Sequence, residues 1–192
     1  MRRGSGKDNG KNGRETAGGG GYPWFGRWGR DTVISRPGIT LTQGRADVCM
    51  DVLDTMTREM QDGLFPNMGT AYNSVDAPLW FFWTLQQLAA PPSDTEVWQR
   101  YGTFMKDILN AYRRGIGSVI AVHDNGLVWA SNPSLAMTWM DAATDGKPVT
   151  GRDGSQVEIN ALWYNAICYT VKLASEAGDR KFTNDWKTLP DK

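Results

Sequence analysis

The run from Leu79 to Leu88 constrains this chain more than any other segment. Leu79, Trp80, Phe81, Phe82, Trp83, Leu85 and Leu88 leave it almost no polar face, and Ser74 as cap with Pro78 in the first turn predicts a helix. A helix apolar nearly all round has to be covered on every side. The segments available to cover it are helical too. From Arg45, Val48, Val52, Leu53, Met56 and Met60 recur at three and four up to Gly63, a C′ residue by pattern. Asp94 opens a third helix carrying Val97, Tyr101, Phe104, Met105, Ile108, Leu109 and Tyr112 on one stripe, closed by Gly115 and Gly117. Ile159, Leu162, Trp163, Ile167 and Val171 mark another interior helix over 157–177, with a short one following over 182–186. Between 118 and 153 the chain is irregular, with one alternating stretch at Val119–Val122 and turn signals at Asn125-Gly126 and Asp145-Gly146. The expected class is therefore all-α, built of stacked helical hairpins; no short repeat marks an open solenoid, so a closed ring fits better.

At 192 residues the chain supports one domain. Residues 1–21 are glycine-rich, carry Lys7 and Lys11 and contain no aromatic, so they read as a disordered tail ahead of a domain over 22–192. Twenty-one basic residues balance twenty-one acidic ones, which leaves no field for nucleic acid or an anionic membrane surface. No apolar run is long enough to span a bilayer and no signal-like segment opens the chain, so a cytoplasmic protein is expected. Cys49 and Cys168 read as buried free thiols without metal-ligand spacing, and His123 as a loop hydrogen-bonding residue; no metal or cofactor is expected.

Tyr22 to Asp31, YPWFGRWGRD, crowds aromatics around an arginine and a carboxylate. A pyranose ring offers an apolar face that stacks on indole and a rim of hydroxyls that pairs with ionised groups, and Trp24, Trp28, Arg30 and Asp31 supply both. Gly26 and Gly29 leave room for a ligand to approach the backbone. The competing reading is an aromatic core with a surface ion pair. Nine tryptophans favour a stacking cleft.

Three further segments mix aromatics with carboxylates: 65–80 (FPNMGTAYNSVDAPLW), 138–141 (TWMD) and 152–163 (RDGSQVEINALW). Asp76, Asp141 and Glu158 are thus candidates for one shared cleft. Helix capping accounts for Asp76 well and for Glu158 in part. Asp141 lies in a loop beside Trp139 and Met140, where desolvation would suit a general acid.

These motifs, in this order, resemble the glucosidase domain of glycogen debranching enzymes: YPWFGRWGRDT, LFPN before YNSVDAPLWF, TWMDA, and R-x-G-x-x-VEINALWYNA. The likeness covers 22–187 and implies the amylo-α-1,6-glucosidase type, an (α/α)6 toroid related to glucoamylases. It further implies inverting hydrolysis of α-1,6-linked glucose stubs on glycogen or limit dextrin, with two carboxyl groups roughly 6.5–9.5 Å apart. By position Asp141 resembles the general acid, and Arg30 with Asp31 the pair that grips the terminal glucose. Trp24, Trp28, Tyr72, Asp76, Trp80, Trp139 and Arg152 would complete the sugar-binding wall. Glu158 is either a hydroxyl ligand, a partner that orients Arg152, or a catalytic carboxylate.

Two positions depart from the family pattern: Arg36 in the ISRPG turn, where an aliphatic residue is usual, and Gly151 in place of a proline. The toroid has twelve helices, whereas five or six are legible, so the chain is expected to form the first half to two-thirds of a barrel. The general base would lie beyond Lys192, and activity would be impaired. The apolar faces of 74–88 and 157–171 would then be exposed, favouring self-association. The alternatives are a non-catalytic α-glucan-binding module and an inactive gene fragment.

Overall fold

The computed structural model describes residues 28–88 and 93–192. The expected tail over 1–21, and Trp24, lie outside the described residues. Six helices run in order: α1 (Gly29–Ile39), α2 (Ala46–Arg58), α3 (Ala77–Gln87), α4 (Asp94–Arg114), α5 (Val157–Glu176) and α6 (Arg180–Trp186). Between α4 and α5 lie two small antiparallel hairpins, β1 (Ile120–Val122) with β2 (Val128–Ala130), and β3 (Ala143–Thr144) with β4 (Lys147–Pro148). The protein is all-α, as its periodicity implies.

The apolar helix α3 is at the centre, packed on α1, α4 and α5, while α5 also carries α6. Leu79, Phe81, Phe82 and Leu85 are fully buried, with edge-on aromatic pairs from Phe81 to Phe65, Phe82 and Tyr101. Tyr112 of α4 stacks on Trp163 of α5 at 5.6 Å, and Trp163 meets Trp186 of α6 edge-on at 5.9 Å. Trp163 and Trp186 are therefore core residues, so part of the tryptophan surplus serves packing rather than a cleft. The chain of aromatic contacts joins four helices into one hydrophobic cluster.

Two boundaries and one whole helix differ from the sequence pattern. Helix α2 stops at Arg58, because Gln61 and Leu64 exchange backbone hydrogen bonds around Asp62 (φ 47°) and Gly63 (φ 78°). Gly63 is thus the second residue of a tight turn and not the helix terminator. Helix α3 begins at Ala77, not at Ser74, although the Ser74 hydroxyl still accepts from Ala77 N at 3.1 Å. Helix α1 was not legible at all. The ISRPG segment is helical, and Arg36 is buried with Nε donating to the Thr32 carbonyl at 3.1 Å. Pro37 lacks the N–H that would serve the Val33 carbonyl. Thr84 of α3 donates its hydroxyl to that carbonyl at 2.8 Å, so a neighbouring helix repairs the gap.

Gly29 opens α1 against the loop before α3, donating its N–H to the Asn67 carbonyl at 2.7 Å. A Cβ there would lie 2.2 Å from the Pro66 carbonyl oxygen. The close approach is between two backbone segments, not between backbone and ligand. Gly29→Ala is expected to destabilise the fold by about 1–3 kcal/mol despite alanine's better helix propensity. Urea unfolding measures this, and an unchanged midpoint would mean that the 66–67 loop yields without cost.

Of the apolar faces expected to be exposed, that of α3 is mostly covered. On α5, Val157 and Tyr164 are exposed. Among the described residues no helix is long and apolar enough to cross a membrane.

Candidate functional site

Arg30 occupies the first turn of α1 and points inward, 6% exposed. Its Nε donates to Asp76 Oδ2 at 2.7 Å and its Nη1 to Asp141 Oδ2 at 2.8 Å, while Nη2 reaches Ser74 Oγ at 3.4 Å. One guanidinium therefore joins α1, the start of α3, and a loop 111 residues further along the chain. The planar fork suits this, since its donors diverge in fixed directions. Burial works against the charge on Arg30, but Asp76 first and Asp141 second outweigh it and leave the group more strongly protonated than an ordinary arginine.

Asp76 occupies the N-cap position of α3, yet its side chain caps nothing. Oδ2 takes Arg30 Nε and Oδ1 takes the Ser74 hydroxyl, and the residue is 1% exposed. The capping account of Asp76 is thereby replaced by a buried ion pair. The loop bearing Asp76 is fixed from two sides: Tyr112 donates its hydroxyl to the Val75 carbonyl at 2.7 Å, and Val75 N donates to the Met137 carbonyl at 2.8 Å. Asn73 Nδ2 adds a bond to the Ala136 carbonyl at 2.9 Å. These same bonds hold the 136–141 segment, which explains how a loop residue such as Asp141 reaches Arg30.

Asp141 is the accessible member of the cluster, its side chain 25% exposed. Among the described residues its Oδ1 accepts no hydrogen bond, so one oxygen is anchored and one is open. Its neighbours Trp139 and Met140 are both exposed rather than buried around it.

A second cluster adjoins the first through Thr138. Arg152 forms an ion pair with Glu158 in the first turn of α5, and its Nη1 lies 3.5 Å from the Thr138 hydroxyl. Glu158 Oε1 also accepts the Trp139 indole N–H at 3.2 Å, and the Arg152 guanidinium lies over the Trp139 ring, 5.9 Å from its centre. Arg152 holds the Glu158 carboxyl below its ordinary value, against an opposing contribution from burial. A carboxylate depressed in the folded state contributes stability that is fully present above its unfolded value near 4.5 and is lost as pH falls through the folded value. Arg152→Met should therefore raise the Glu158 titration toward the ordinary range and remove its share of the acid-side stability loss. An NMR titration of the Glu158 carboxyl carbon checks this, and an unmoved midpoint would contradict it.

Asp31, next in sequence to Arg30, faces solvent and has no side-chain partner among the described residues. Arg30 and Asp31 therefore lie in different surroundings, one buried and one exposed. Trp28, half-buried, precedes α1 and forms a backbone bridge with Met68. Tyr72 is half-buried and spends its hydroxyl on the Glu59 carbonyl at 2.9 Å, while Trp80 is half-buried with its ring edge-on to Trp83. Of the expected cleft carboxylates, Asp76 and Asp141 meet on one cation, and Glu158 stands in the adjoining cluster. Sequence reasoning missed Ser74 and Thr138 as members of these clusters; neither carries a local signal beyond its place in a quoted motif.

Residues 8–192 match the family model described as amylo-alpha-1,6-glucosidase. The chain is 25% identical over 210 residues to the glycogen debranching enzyme of Saccharomyces cerevisiae, an alignment covering 78% of this chain and 14% of that protein.

Proposed function

We propose, on the premise that this chain belongs to the amylo-α-1,6-glucosidase family, that its two clusters form part of an α-glucan site that hydrolyses α-1,6-linked glucose stubs with inversion. The reading rests above all on Asp141, whose Oδ2 is fixed by Arg30 while Oδ1 is open. Such a carboxyl, protonated on the open Oδ1, can deliver that proton from a fixed position to the glycosidic oxygen as the bond to the anomeric carbon breaks. Asp76 is too deeply buried to touch a sugar and serves as the counter-charge that keeps Arg30 in place. Arg30, nearly buried, supports Asp141 rather than the terminal glucose, which leaves hydroxyl recognition to exposed groups such as Asp31. The base that takes the proton of the attacking water is neither Asp76, which has no solvent access, nor Glu158, which is engaged by Arg152 and Trp139, so this role requires a carboxylate outside the two clusters.

A glucan-binding module without hydrolysis would use the same surface, and the experiment separates the two. Limit dextrin is incubated with the chain and the released sugar is followed by proton NMR from the first minutes. Inversion at an α-linkage predicts β-glucose appearing ahead of mutarotation. Glycogen retardation in an affinity gel without glucose release would favour the binding module, and α-glucose as the first product would overturn the inverting mechanism.

A further inference from the structure

Trp139 is the most exposed tryptophan among the described residues, at 53%. A large aromatic left in water forgoes the stabilisation that burial would give it, and an exposed indole is ordinarily free to change rotamer. This one is held at two points. Its N–H is taken by Glu158 Oε1 at 3.2 Å, and a face is covered by the Arg152 guanidinium. Glu158 binds Arg152 as well, so a single carboxylate fixes both the ring and the cation against it. Arg152 is in turn steadied by the Thr138 hydroxyl, whose residue is fully buried. With the cation over the ring, the residue still keeps more than half of its surface exposed.

The ring also has a fixed relation to the proposed acid. Only Met140 stands between Trp139 and Asp141 in the chain, so their Cα atoms lie within about 7.6 Å. A surface groove of about 190 Å³, lined in part by Met137, Thr138, Met140 and Arg152, runs beside the same segment. A held, solvent-exposed indole separated by one residue along the chain from the proposed proton donor offers a surface that matches the apolar C–H face of a pyranose ring.

We propose that Glu158 is a positioning residue: through Arg152 and the indole N–H it locks the exposed Trp139 as a stacking platform for the glucose unit adjoining the bond that Asp141 protonates. This rests on the glucan reading above and deepens it. It assigns Glu158 no proton transfer.

The full 192-residue chain tests the proposal in two arms. Without any sugar, the Trp139 indole N–H resonance is assigned by its absence in Trp139→Phe and then followed in Glu158→Met. It should shift and exchange faster with water, whereas Glu158→Gln, which keeps an acceptor oxygen, should restore most of the protected signal. An unmoved resonance in Glu158→Met overturns the positioning role. With glycogen in an affinity gel, Trp139→Ala should weaken apparent affinity about tenfold and Glu158→Met about threefold, the range of one aromatic contact. The double variant should be no weaker than Trp139→Ala, because Glu158 acts only through the ring. Additive losses would show that Glu158 acts independently and would sink the idea. If wild type is not retarded by glycogen, the glucan reading itself fails; if wild type and Trp139→Ala are retarded equally, only the platform fails. Thermal midpoints close to wild type exclude unfolding as the cause in either arm.

Discussion

Arg30→Met is expected to cost the fold about 3–5 kcal/mol, because it leaves Asp76 as a buried carboxylate with no cation beside it. Methionine nearly fills the space of the arginine stem, so the loss reports the orphaned charge more than a cavity. Ser74 still donates to Oδ1, but one hydroxyl does not replace a guanidinium. Arg30→Lys should recover only part of the loss, since a compact ammonium cannot reach Asp76, Asp141 and Ser74 in three directions at once. The double variant Arg30→Met with Asp76→Leu should be markedly more stable than Arg30→Met alone, because it removes the unpaired charge. Chemical denaturation gives all four values. A loss below about 1 kcal/mol in Arg30→Met would place the pair among weak surface ion pairs and contradict the burial of Asp76.

How much of this was legible in the sequence depends on the range of the interaction. Helices α4 and α5 could be read because each repeats its apolar stripe over twenty residues or more. In α4 the reading is reinforced by Ser93 and Glu96, which form a reciprocal cap. Helix α1 could not be read, since Gly29, Pro37 and Gly38 each argue against a helix and the element is sustained from outside, by Thr84 on Val33 and by Asn67 on Gly29. The helix also sets where the neighbours Arg30 and Asp31 point, since consecutive helical residues project about 100° apart. In α1 that rotation sends Arg30 into the core and Asp31 to solvent. The true partners of Arg30 are 46 and 111 residues away, and no local pattern announces them. Composition is blind for a related reason: it counts aromatic rings without saying that Trp163 and Trp186 lie in the core, stacked on Tyr112 and Phe182 respectively, while Trp139 alone is more than half exposed among the described tryptophans.

Asp141→Asn separates the chemistry from this scaffold. The amide oxygen can still accept Arg30 Nη1, and the side chain is partly exposed, so stability and glycogen retardation should stay close to wild type. An amide has no acidic proton to give, so glucose release from limit dextrin should fall about 10²–10⁴-fold, the usual contribution of a positioned general acid. The diagnostic comparison uses α-glucosyl fluoride, whose leaving group departs without protonation. An acid-deficient variant should keep most of its rate on that substrate while losing it on limit dextrin. Equal losses on both substrates would move Asp141 from proton donation to water activation or sugar binding. A large loss of stability in Asp141→Asn would instead make the carboxylate a structural partner of Arg30. The members of the first cluster then differ in kind. Arg30 and Asp76 set where Asp141 stands, at a stability cost if removed, whereas Asp141 itself can be altered at almost no structural cost and a large catalytic one.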